Sequence, residues 1–186
     1  TRELYWLAHQ IDEKSAQLFN KYPSPPPNYY AAADTFSLDI AYSLLSDAAK
    51  FAELLSPQRG KKIYRERSEY LQSLLKGVDY NDLVDKKVRN TIEHFGEYLD
   101  DANYIHTVLN PTRLYLVAFN FVFSHLHPIK DDAFPFPAFV SPLDSQIVFP
   151  IRVYVSSTRV LRNLFWSTDL GAMSDQAKSV KAALKK

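Results

Sequence analysis

Cysteine is absent from this chain of 186 residues. A disulfide framework, a thiolate nucleophile, a cysteine-containing zinc site and cysteine-held iron–sulfur clusters are therefore excluded within it. Glycine is scarce, at four residues, and there is neither a glycine-rich phosphate loop nor a serine in a nucleophile elbow. An excess of one charge is missing as well: 22 basic side chains face 21 acidic ones, for a formal net charge of +1. Such a chain has no global field to concentrate a polyanion, so any nucleic-acid contact must come from a local basic patch. Long apolar runs are also lacking. The most apolar stretch, Leu114 to Phe123, is about half the length that a membrane-spanning helix needs, and Asn120 interrupts it. The opening Thr1-Arg2-Glu3-Leu4 lacks the basic-then-apolar order of a secretory signal, so the expectation is a cytoplasmic protein without a membrane span.

What is present is enough for one compact domain. Apolar residues make up 46% of the chain, and 12 Phe, 12 Tyr and 2 Trp contradict the aromatic-poor composition of disorder. Residues 1–186 are read as a single domain, with a helical part over about 3–102 and a C-terminal extension over about 111–186. In the first part, apolar residues recur at three- and four-residue steps in four segments. The first, about Glu3 to Tyr22, carries Leu4, Leu7, Ile11, Leu18 and Tyr22 and stops at Pro23-Ser24-Pro25-Pro26-Pro27, which should cross over as an extended link. The second, about Tyr29 to Leu55, carries Phe36, Ile40, Leu44, Phe51 and Leu55, with a further stripe of Leu38, Ala41, Leu45 and Ala49. The third, about Lys61 to Lys76, groups Ile63, Tyr70 and Leu74 and closes at Gly77 in a left-handed cap. Asn81 is placed to cap the fourth, which runs to about Asp101.

Beyond Pro111 the pattern turns to aromatic and β-branched residues, with Phe134-Pro135-Phe136-Pro137 forbidding a helix. A few short strands are expected, with residues near Ile147 to Phe149 pairing against Leu114 to Phe123. Pro150 to Trp166 fits either a strand extension or a helix, with a helix favoured from about Thr158 to Trp166, and a short basic helix is expected from Ser174 to Lys185. The fold class expected overall is mostly α: an up-and-down four-helix bundle with a small β or irregular C-terminal extension and short terminal helices.

The fourth segment holds the chemistry. It reads Arg89-Asn90-Thr91-Ile92-Glu93-His94-Phe95-Gly96-Glu97-Tyr98-Leu99-Asp100. On a helical step of about 100° with Arg89 at zero, Glu93, Glu97, Asn90, Asp101 and His94 fall at roughly 40, 80, 100, 120 and 140°. Val84, Val88, Ile92, Phe95, Leu99 and Ala102 fall between roughly 220 and 300°. One arc is polar throughout while the opposite arc anchors the helix.

An Arg-Asn pair, three further residues and a His in the last long helix of a bundle resembles the Arg–His motif of the HEPN superfamily. The Glu93-His94-Phe95 and Glu97-Tyr98-Leu99-Asp100 context is similar to a bacterial branch of it. The resemblance implies a helical bundle and a metal-independent endoribonuclease without a cofactor, whose site forms where two such helices meet in a homodimer. It also implies a possible place in a toxin–antitoxin or phage-defence system, with an antitoxin or another protein as partner. His94 would move protons between the ribose 2′-hydroxyl and the leaving 5′-oxygen. Arg89 would hold the phosphate's developing charge, and Asn90 would orient phosphate or imidazole. Glu93 and Glu97 are the supporting residues, and Lys86 and Lys87, one turn earlier, are placed for RNA. The alternative is a non-catalytic module that binds a nucleotide or a protein through the same polar face.

Two other groups were candidates for binding. Arg59, Lys61, Lys62, Arg65 and Arg67 interleave with Tyr64, a residue suited to stacking on a base, although a solvated helix start has the same composition. His125-Leu126-His127 in an extended segment puts two imidazoles on one side, with Asp131 and Asp132 the nearest carboxylates. No metal site is expected.

Overall fold

The computed structural model describes residues 1–56, 62–85, 87, 90, 97, 100, 103–104, 115–129, 137–163 and 165–185. Its architecture is mixed α/β. Among the described residues, the elements with defined bounds are the helices α1 (Arg2–Lys21), α2 (Thr35–Leu55), α3 (Lys62–Leu74) and α4 (Leu170–Leu184) and the strands β1 (Ala31–Ala33), β2 (Tyr115–Phe123), β3 (His127–Ile129), β4 (Ala138–Val140), β5 (Ile147–Val155), β6 (Val160–Arg162) and β7 (Ser167–Asp169). The mostly-α four-helix bundle is thus corrected. The C-terminal part supplies six strands of a seven-stranded sheet that shares the main core with the helices, rather than forming a small appendage to them.

The sheet runs β1-β2-β5-β4-β3, with β6 pairing β5 and β7 pairing β6. β5 is central: β2 lies parallel along one side, while β4 and β6 pair antiparallel to its start and its end on the other. Its near-continuous apolar sequence fits burial on both faces. Val122, Tyr154 and Leu161 face the cluster made by α1, α2 and α4, while Phe123, Phe139, Val148, Val153 and Val155 form a second cluster. With β4 and β6 following each other along that side of β5, the Arg162 guanidinium lies 5.0 Å from the Phe139 ring.

A double irregularity divides the β2–β5 ladder, where Ala118 pairs Pro150, Phe119 pairs Arg152 and Phe121 pairs Val153. Pro150 has no N–H to give, and Asn120 adopts φ +58, so the bulge sits where the ladder is weakest. The bulged Asn120 carbonyl then accepts the Asp34 N–H at 2.8 Å and so positions the start of α2.

The helical periodicity located α1, α2, α3 and α4, but three local expectations fail. Residues 31–33 pair antiparallel with β2 instead of opening the second helix, because Asp34 caps α2 through Ser37 N–H. Residues 160–162 form β6 rather than part of a helix, since Arg159 at φ +54 turns the chain back onto β5. Asn81 makes no side-chain cap, and the Gln176 amide oxygen instead accepts from the N–H of Asp82 and Leu83 in the short 3₁₀ turn Asp82–Val84. Faces were misjudged as well: Phe36, Ile63 and Tyr70 are exposed, and α3 buries Ser68 and Leu71 instead. Gly77 does take the left-handed conformation expected of it, at φ +83. Among the described residues, no helix is long and apolar enough to cross a membrane.

Candidate functional site

Of the seven residues singled out on the fourth segment, Arg89, Glu93, His94 and Lys86 lie outside the described residues. Lys87, Asn90 and Glu97 are described, and with Asp100, Asn103 and Tyr104 they are helical. On the helical step of about 100°, Asp100, Tyr104, Glu97, Asn90 and Lys87 span roughly 20 to 160°, the polar arc itself. None of them is buried. Asn90 is half-buried, and the other four are exposed. The described part of the arc is therefore open, and the sheet does not cover it.

A cleft of about 290 Å³ begins at the foot of this segment, lined by Asp82, Asp85, Lys87, Val160, Ser167, Thr168 and Asp169. Each carboxylate is placed by the local fold. Asp82 accepts from the Gln176 amide at 2.7 Å, and Asp85 accepts the Lys87 N–H at 2.9 Å. Asp169 caps α4 through the Ala172 N–H at 2.9 Å. Among the described residues of the lining Lys87 is the one cation, its ammonium 4.0 Å from Asp85, beside three aspartates. Val160 adds an apolar patch, and Thr168, only 7% exposed, has a hydroxyl without a hydrogen-bond partner among the described residues.

Asp82, Asp85 and Asp169 belong to segments that are distant in sequence, and β6–β7 pairing with the Gln176 contact is what brings them together. The sequence puts Asp82 and Asp85 just after Asn81, in the first turn of the fourth segment, and gives no sign that Asp169 and Thr168 lie beside them. The only available signal was the Ser-Thr-Asp run before an apolar helix, which reads as a cap rather than as a cleft wall.

The other candidates resolve differently. Arg59 and Lys61 lie outside the described residues, whereas Lys62 and Arg65 pair with Glu66 and Glu69 at 3.6 and 3.8 Å. Arg67 sits 5.5 Å from the Tyr64 ring, so this helix start spends its cations and its aromatic on itself. His125 packs edge-on against Tyr29, with ring centroids 5.1 Å apart, and His127 is exposed at the start of β3. Asp131 and Asp132 lie outside the described residues, and among the described residues no three His, Asp or Glu side chains are grouped as metal ligands.

A third acidic position, Asp34, is structural. Its Oδ2 accepts from Lys21 Nζ at 2.6 Å, from Ser37 Oγ at 2.6 Å and from the Tyr22 hydroxyl, while Oδ1 accepts the Ser37 N–H at 3.1 Å. Burial alone would raise this carboxyl, but the hydrogen bonds from Lys21, Ser37 and Tyr22 hold it well below the usual carboxylate range. Tyr22 is pushed well above the ordinary phenol value, first by burial and then by its bond to Asp34. Compared with protein-family models, with curated proteins and with solved structures, the chain finds no match.

Proposed function

We propose that this protein is a metal-independent endoribonuclease that works as a cytoplasmic homodimer through the polar arc of residues 87–104, with Arg89, Asn90 and His94 as its working residues. The observation that carries the reading is the openness of the arc, since Lys87, Glu97, Asp100 and Tyr104 are exposed. The residue pattern supports it, and the bundle first expected around that pattern does not enter the argument. In the proposed reaction the ribose 2′-oxygen attacks phosphorus as His94 takes its proton, and the bond to the 5′-oxygen breaks as that oxygen gains one. Arg89 stabilises the charge that develops on the phosphate, and the products are a 2′,3′-cyclic phosphate and a 5′-hydroxyl. One segment offers one imidazole, so the second acid or base comes from the partner protomer. A role in a toxin–antitoxin or phage-defence system belongs to the same proposal.

One observation favours a second reading, that of a non-catalytic module for a nucleotide or a protein partner. Among the described residues, the arc carries Glu97 and Asp100 beside Lys87 and the cleft at its foot adds three aspartates, a local excess of negative charge that disfavours a phosphate backbone. Cleavage of a mixed RNA pool in excess chelator separates the two, with wild type compared against His94→Ala and Arg89→Ala at matched folding and oligomeric state. Cyclic-phosphate ends that disappear in both variants are the expected result. An intact RNA pool with a folded wild-type dimer would sink the nuclease, and equal cleavage by all three proteins would assign the activity elsewhere.

A further inference from the structure

We propose that Pro26-Pro27-Asn28-Tyr29, in the link between α1 and β1, is a docking segment for a WW-type protein module, one that reads two prolines in an aromatic-lined groove and a tyrosine in a neighbouring pocket. Local sterics build the segment. A residue before proline is driven out of the helical region, so Pro25 and Pro26 are each held extended by the ring that follows. The chain then bends at residues 27 and 28, and Tyr29 follows the bend. Pro25, Pro27 and Asn28 are exposed, Pro26 is half-buried, and Tyr29 is 60% exposed.

The fold pins this segment at both ends. On one side, Ser24 Oγ donates to the Ser157 carbonyl at 2.9 Å. On the other, the Tyr30 N–H donates to Ser124 Oγ and the Tyr30 carbonyl accepts the Ser124 N–H, both at 2.9 Å. The Tyr30 hydroxyl also shares a hydrogen bond with Ser156 Oγ at 2.6 Å. Ser124 and Ser156 directly follow β2 and β5, the two longest strands, so the arch between the pins stands on the central part of the sheet. Its conformation is ordered by folding, and little further entropy is lost when a partner docks. Tyr22 and Tyr30 pack against the main core, whereas Tyr29 belongs to none of the three core clusters. Its ring rests edge-on against His125, with centroids 5.1 Å apart, and stays open elsewhere. That tyrosine decides the kind of partner, because a module that reads prolines alone has no pocket for an aromatic ring two residues after the pair. The proposal does not depend on the activity assigned to the polar arc.

The test is calorimetric titration of the full chain with an isolated WW domain of the class that reads Pro-Pro-x-Tyr, beside an SH3 domain that reads Pro-x-x-Pro, with amide shifts of the labelled chain followed by NMR. The expected result is saturable one-to-one binding of the WW domain that the SH3 domain does not reproduce, with shifts at Asn28 and Tyr29. Tyr29→Ala should weaken it by more than about tenfold. Tyr70→Ala, which removes an exposed tyrosine from α3, should leave it unchanged. Should Tyr29→Ala fail to fold, Pro27→Ala serves, because that ring is exposed. No saturation by the WW domain, equal binding of the SH3 domain, or WW affinity unchanged in the folded variant would each overturn the proposal.

Discussion

Asp34 and the three aspartates of the cleft are the same residue type put to opposite uses. At Asp34 a lysine, a phenol, a hydroxyl and a backbone N–H all point at one carboxylate, whose charge is consumed in joining α1 to α2. In the cleft, an amide or a backbone N–H orients each carboxylate, and among the described lining residues only Lys87 brings a positive charge, 4.0 Å from Asp85. The first arrangement leaves little charge for a ligand, whereas the second leaves a negative wall facing solvent. What separates structure from candidate function here is the count of cationic donors around the carboxylates, not burial or residue identity.

The same contrast holds among the other ion pairs. Lys14 binds both Asp47 and Ser43 between α1 and α2, and Lys181 binds Asp12 at 2.6 Å between α4 and α1. Arg152 reaches Asp39 at 2.7 Å while its guanidinium lies 4.2 Å from the Tyr42 ring, fastening the bulged part of the sheet to α2. All of these charges are spent on packing elements together. The cleft differs from every one of them.

Measurements can sharpen or break that contrast. The largest stability effect is expected away from both acidic sites, at Phe51, which is fully buried and meets Tyr80 edge-on at 6.4 Å. Phe51→Ala should cost about 4 kcal/mol in urea unfolding, the scale of a truncated buried aromatic. Asp34→Ala should come next, at roughly 2–3 kcal/mol, because it removes a helix cap and strands the Tyr22 hydroxyl. Asp34→Asn should recover part of that loss by keeping the cap. A cost under about 0.5 kcal/mol for Asp34→Ala would erase the distinction between the two acidic sites.

Acid and base provide a third test. Asp34 binds its proton more weakly folded than unfolded, so its contribution is present above about pH 4 and is lost as pH falls below that value. Tyr22 and Tyr154 hold their protons more tightly folded than unfolded, both chiefly through burial, so stability should fall as pH rises above about 10. The acid-side loss should shrink in Asp34→Ala, as unfolding midpoints across the acid range would reveal. The smallest effect is expected at Asp85→Asn, within about 0.5 kcal/mol of wild type, since that carboxylate faces the cleft rather than the core. A loss as large as that of Asp34→Ala would place Asp85 among the structural carboxylates and end the comparison.

The sequence alone located the bodies of α1 and α2, because a helix satisfies its own backbone and needs only a local stripe: Leu4, Leu7, Ile11 and Leu18 in α1, or Leu38, Ala41 and Leu45 in α2, all buried as their spacing implies. It also exposed the Arg-Asn-x-x-Glu-His pattern and the polar arc, whose described members are open. What only the tertiary structure decided was every feature that depends on a partner distant in the chain. The alanines at 31–33 have good helix propensity, yet they form a strand because β2 offers them hydrogen bonds. Residues 160–162 do so because β5 lies alongside, and β2 and β5 find each other in parallel across an intervening hairpin. The acidic cleft arises the same way, from Asp82, Asp85 and Asp169 brought together by strand pairing and one glutamine. Local periodicity carries no record of such encounters, because pairing energy is gained only after the chain has closed the loop between the partners.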